Sequence, residues 1–297
     1  MRVIVWVCVV IASMVGNLRT ARGEELVFCG WDEVFIADVA ASSNGTIKKL
    51  WSWRAADRVD LPEDFRTLFN STDDCKPVDG GQRVLISSSG GGLAVVERPT
   101  GQVAWYGHVG NAHSIELLPG DRVVVAGSTN PEGNKLAVFD LKQPNKIIFQ
   151  AGLHSGHGVV WDDERQLLWA LGYDELRAYS LKDWTTNQPK LALEGTHSLP
   201  SESGHDLLMT PEGDVLLLTT NREVLAFDIE AETFSPYPPL EGLERVKGIS
   251  IHPVTQRTAY VQAEGENWWA TRVRFLNPVG ELVLEKEHLY KVRWVVP

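Results

Sequence analysis

Seven of the eight histidines in this 297-residue chain fall at similar places in a repeated stretch of sequence. His108, His113, His154, His157, His197, His205 and His288 each lie in or just before a segment that leads into an apolar run. Imidazole gains or loses a proton near neutral pH, and its neutral form ligates divalent transition metals. A set of imidazoles brought together therefore implies proton transfer or metal binding. Three of them open successive runs: "AHSIELLPGDRVVVAGS" from Ala112, "GHGVVWDDERQLLWALG" from Gly156 and "GHDLLMTPEGDVLLLTT" from Gly204. A fourth run, "VKGISIHPVTQRTAYVQ" from Val246, places Lys247 where the others place His. Lys76 in an earlier run and Lys291 in a later one complete a ring that reads Lys76, His113, His157, His205, Lys247, Lys291. Ammonium is a compact cation suited to carboxylate, sulfate or phosphate. We therefore expect an anion site on Lys76, Lys247, Lys291 and Arg245. His113, His157 and His205 are the candidate catalytic groups, or the candidate ligands of a divalent metal such as Mn or Zn. The alternative is that each imidazole bonds neighbouring backbone, as buried polar groups generally must. Asp206 is expected to orient an imidazole or cap a turn.

These residues need elements that return them to one place. The anchors His113, His157, His205 and Lys247 are spaced by 44, 48 and 42 residues. Each begins an apolar strand, a polar turn and a second apolar strand, followed by third and fourth strands such as "NKLAVFDL" and "KIIFQA". Short strands broken by Gly, Asp, Asn and Pro mark antiparallel meanders, and a repeat of this length marks the blades of a propeller. The sequence predicts an all-β, six-bladed β-propeller of four-stranded antiparallel blades. Its first blade lacks an inner strand of its own, and "LYKVRWVVP" at the C-terminus is expected to supply it. Every inner strand then starts at one end of the central channel, so the ring of His and Lys surrounds one mouth.

The formal net charge of −11 excludes a nucleic-acid footprint, which needs a surplus of Lys and Arg on one face. Arg2, the apolar run Val3 to Gly16 and the small residues of Ala21-Arg22-Gly23 read as a secretory signal over residues 1–23, ahead of a propeller domain over 24–297. The expected location is secreted or periplasmic, with no membrane span once the signal is removed. Cys29 and Cys75 then remain, either as one disulfide or as two buried thiols. Trp268-Trp269 offers either a sugar-stacking face at the rim or core packing.

The runs "AHSIELLP", "GHGVVWDDERQLLWALG" and "SGHDLL" resemble an uncharacterised family of secreted bacterial β-propellers, a domain of unknown function related to WD40-like folds. That resemblance implies the architecture and export, and no activity. The three imidazoles on successive inner strands are also similar to the oligogalacturonate lyase propellers. That likeness implies metal on His113, His157 and His205 and an anionic, uronate-type carbohydrate as partner. No counterpart is found for the Gln of those lyases, and the blade number differs. The functional expectation is a metal-assisted lyase or hydrolase on such a sugar. The alternative is a non-catalytic binding or scaffold propeller for a protein or polysaccharide.

Overall fold

A computed structural model describes residues 24–296 as six four-stranded antiparallel sheets arranged around one axis. The expected signal segment lies outside the described residues. Numbering blades along the chain, the inner strands of blades 2 to 6 are Thr72–Val78, Ala112–Leu118, Gly158–Asp162, Asp206–Met209 and Val246–Ile251. Blade 1 takes its inner strand, Lys291–Trp294, from the other end of the chain. That strand pairs antiparallel with Glu25–Cys29, in a register that sets Leu26 opposite Trp294 and Cys29 opposite Lys291.

The second strand of each blade is sandwiched between two neighbouring blades. This explains why it reads as an unbroken apolar run rather than an alternating one. In blade 3, Val123, Val124, Val125 and Ala126 are all fully buried. The turn before them holds Gly120 and Asp121 at φ of 79° and 55°, the left-handed geometry that matches the twist of a tight hairpin. Outer strands such as Ile147–Gly152 are half exposed, as edges facing water must be.

Each seam between adjacent blades carries its own apolar cluster, and the residue that drives it recurs. Cys75, Ile115, Val159, Leu207, Ile249 and Val292 stand at equivalent positions on the six inner strands. The seam between blades 1 and 6 contains fifteen buried apolar residues, whereas that between blades 5 and 6 contains five. Cys29 and Cys75 both lie in the seam between blades 1 and 2 as free, buried thiols, each approaching the carbonyl oxygen of Lys291 at 3.6 and 4.0 Å. Of the two states open to this pair, the structure holds the reduced one.

Candidate functional site

The equivalent apolar residues fix the phase of every blade, and two residues upstream of each lies the side chain that faces the channel mouth. In chain order these six are Asp73, His113, His157, His205, Lys247 and Tyr290. In blades 2, 3 and 6 this residue is the extra residue of a β-bulge, which turns its side chain out of the ladder. In blades 1, 4 and 5 it immediately precedes the strand, and its N–H still bonds the neighbouring strand: Tyr290 to Cys29, His157 to Leu171 and His205 to Thr219, at 2.8 to 2.9 Å.

The three imidazoles converge as the repeat requires. Ring centroids of His113 and His157 are 4.3 Å apart, and those of His157 and His205 are 5.4 Å apart. At one end of this arc, Asp73 Oδ1 lies 3.5 Å from His113 Nε2. At the other, Lys247 Nζ lies 2.7 Å from His205 Nε2 and 3.2 Å from Asn221 Oδ1. The mouth thus presents an acid, three imidazoles and an ammonium in sequence around five blades, with the Tyr290 phenol completing the ring. Its His154 and His288 neighbours sit further out, packed on Tyr173 and on Trp31 and Trp269 respectively.

Two of the expected mouth cations are elsewhere. Lys291 lies one residue beyond Tyr290 and is fully buried, donating to the carbonyls of His113 and His157 and pairing with Asp206 at 3.2 Å. Lys76 lies three residues beyond Asp73, paired with Glu116 at 2.9 Å and bonded to the carbonyl of Val159. The seam residues Cys75 and Val292 put Asp73 and Tyr290, and not Lys76 and Lys291, in phase with the three imidazoles. Arg245 also differs from expectation, because its guanidinium donates to the carbonyls of Gly265 and Asn267 in a loop of blade 6.

Below the mouth an ion-pair network fills the channel. Arg293 donates to both carboxylate oxygens of Asp206 at 2.8 and 2.6 Å and pairs with Asp74 at 3.0 Å. Asp206 also accepts from the Ile249 N–H, so it serves Arg293, Lys291 and the next blade rather than an imidazole. Although burial alone would raise the carboxyls of Asp74 and Asp206, Arg293 and Lys291 hold both below their ordinary range. Every cation in this layer has a carboxylate partner.

Lys247 has none among the described residues, although it is only 4% exposed. Burial, reinforced by Arg245 and Lys291 nearby, pulls its ammonium down to about 7. Burial, followed by Lys247, takes His205 down to about 3, and burial with the two flanking imidazoles holds His157 well below its usual value. His157 Nδ1 lies 2.8 Å from the Ser155 carbonyl, which places the ring proton there and leaves Nε2 with a free lone pair. Burial raises Asp73, against the pull of His113 and the Ser89 amide.

As placed, this donor set does not fit a divalent metal. His205 Nε2 is shared between Lys247 and Asn221, His205 Nδ1 is buried without a partner, and a metal beside the arc would sit against an ammonium. Among the described residues no three His, Cys, Asp or Glu side chains form a group able to hold a metal ion. Nor is any described helix long and apolar enough to cross a membrane.

No curated protein matches the chain. The sequence model of a family of unknown function, DUF6528, matches residues 33–297, which span all six blades and every residue of the mouth. The chain therefore belongs to that family, DUF6528, and it is a six-bladed β-propeller.

Proposed function

We propose that this protein is an exported propeller whose mouth binds a carboxylate-bearing ligand, the uronate end of a saccharide, on Lys247 and the imidazole arc. The observation that carries the reading is the unpaired ammonium of Lys247. Lys76, Lys291 and Arg293 are each matched to an acid within the channel, whereas Lys247 at its mouth is not. A buried charge left without a partner is expensive, and such groups are retained where a ligand supplies the partner. One ammonium with neutral imidazoles around it suits a single carboxylate, and Asp73 across the mouth disfavours a dianion such as phosphate. Export rests on the apolar N-terminal run, and N-terminal sequencing of the secreted chain checks it.

Calorimetric titration with glucuronate, galacturonate, acetate, sulfate and phosphate tests the site. Uronates are expected to bind wild-type protein most tightly, with proton uptake as the bound carboxylate favours the charged form of Lys247, and binding is expected to vanish in Lys247→Met. Preference for phosphate, or unchanged binding in Lys247→Met, overturns the proposal. Stabilisation by Mn or Zn alone would restore the metal reading, and absence of any binding would favour a scaffold propeller.

A second reading, β-elimination, is favoured by the neutral His157. The Lys247 cation beside the carboxylate acidifies the adjacent carbon, His157 Nε2 takes its proton, and the electron pair forms the new C=C bond. The bond to the leaving glycosidic oxygen breaks as water protonates that oxygen. Ultraviolet absorbance of an unsaturated uronate, lost in His157→Ala, is the expected signature.

A further inference from the structure

Trp31 and Trp268 are 39% and 40% exposed, whereas Trp53, Trp105, Trp169 and Trp294 are at most 3% exposed. Both exposed indoles lie on the mouth face. Trp31 follows the second strand of blade 1, and Trp268 sits in the loop between the second and third strands of blade 6. Their ring centroids are 5.1 Å apart with planes tilted by 49°, so they touch without closing into a stack. Trp268 packs edge-on against Tyr290 at 5.5 Å, and Tyr290 in turn against His113 at 6.1 Å. A chain of aromatic contacts therefore links the exposed rim to the imidazole arc through the buried Tyr290.

The rim is braced rather than loose. Arg245 holds the carbonyls of Gly265 and Asn267 on either side of the loop bend. Glu264 accepts from the amide and hydroxyl of Thr271 at 3.1 and 2.9 Å. Ala270 and Leu289 exchange backbone hydrogen bonds at 3.0 and 2.8 Å, tying the loop to the segment that leads into blade 1. On the other side, the Trp31 carbonyl accepts from the amide and hydroxyl of Thr72 at 2.8 and 2.9 Å. Neither exposed indole N–H has a partner among the described residues, as is also true of the buried Trp53 and Trp169, whereas those of Trp105, Trp184 and Trp294 each donate to a carbonyl. Beside Trp31 a small cleft brings Asp32, Arg54, Lys286 and His288 to the same edge.

From this arrangement we infer that Trp31 and Trp268 form a second subsite, which stacks the sugar ring next to the uronate held at the mouth. The inference rests on the uronate reading of the mouth and names the ligand more closely, as an oligosaccharide rather than a free monosaccharide. A pyranose offers an apolar face to indole and a rim of hydroxyls, which suits tryptophan flanked by charged side chains. Arg245 is then a positioning residue that fixes the Trp268 loop.

Calorimetric titration of galacturonate and digalacturonate into wild-type protein, Trp268→Ala, Trp268→Phe and Lys247→Met separates the possibilities. The disaccharide is expected to bind wild-type protein at least about tenfold more tightly than the monosaccharide, a difference of about 1.4 kcal/mol. Trp268→Ala is expected to erase that advantage while leaving the monosaccharide unchanged, Trp268→Phe to restore most of it, and Lys247→Met to lose both ligands. A monosaccharide that binds as well as the disaccharide, or Trp268→Ala weakening both alike, overturns the subsite while leaving the mouth intact. If wild-type protein binds neither sugar, the uronate reading fails and the subsite falls with it.

Discussion

Replacing Lys247 by Met should make the ligand-free protein more stable at neutral pH, not less. Folding takes the ammonium from an ordinary 10.5 to about 7. At roughly 1.4 kcal/mol for each unit, carrying this residue at pH 7 costs the fold about 4 kcal/mol. Methionine has nearly the same length and no charge to desolvate. What the variant loses is the pair of contacts from Nζ to His205 and Asn221, each worth about 1 kcal/mol. A net gain of about 2 kcal/mol is left at pH 7. The sign with pH follows from which state holds the proton. Between about 7 and 10 the unfolded chain keeps a proton that the folded chain has released, so wild-type stability climbs with pH across that window; at lower pH the full penalty applies. The Met variant lacks this climb, so its advantage is greatest at pH 7 and below and is gone by about pH 10. Urea denaturation of both proteins at pH 6, 7, 8.5 and 10 reads the difference directly. A variant less stable than wild type at pH 7, or a gap that stays constant across the series, would refute the assignment of Lys247 as a buried, uncompensated cation.

Two further outcomes follow from the packing around the channel. Arg293→Met strands Asp74 and Asp206 without their guanidinium, at an expected loss of about 3–5 kcal/mol at pH 7 by denaturant unfolding. Because both carboxyls are depressed in the folded protein, their contribution is present above about pH 4 and is lost as pH falls through the folded values. The variant's carboxyls protonate sooner, so its deficit should shrink between pH 7 and 4. Gly30→Ala is expected to abolish soluble expression or lower the melting temperature sharply, because a Cβ there would lie 1.5 Å from the His288 carbonyl oxygen. Thermal melting of that variant is the measurement, and a wild-type profile would contradict the geometry at blade 1.

The architecture was readable because its cause is local and repeated. Each blade needs an apolar second strand flanked by turns, and segments such as Arg122–Gly127 and Leu167–Leu171 announce this without reference to any partner. The convergence of His113, His157 and His205 followed from the same repeat. The phase of blades 1 and 2 was harder, because Lys76 and Lys291 carry the charge expected of a mouth residue while the positions that face the mouth hold Asp73 and Tyr290. Nothing local marks an aspartate or a tyrosine as equivalent to a histidine; only the seam residues Cys75 and Val292 keep the count. The channel network was not readable at all. Arg293 meets Asp74 and Asp206 across the ring, at sequence separations that no short-range pattern records. Arg245 was visible as a charge near the mouth, but its partners are main-chain carbonyls of Gly265 and Asn267, which carry no signature in the sequence.

The inner strand of blade 1 starts at the mouth and runs away from it, while its neighbour Glu25–Cys29 runs toward it, so Glu25 and Val295 meet at the opposite face, joined by the Val295 N–H to Glu25 oxygen bond of 2.9 Å. A handle grafted onto Glu25 or Val295 would emerge from the face opposite the mouth. Immobilised by such a handle, the molecule would stand with its histidines turned outward to the medium.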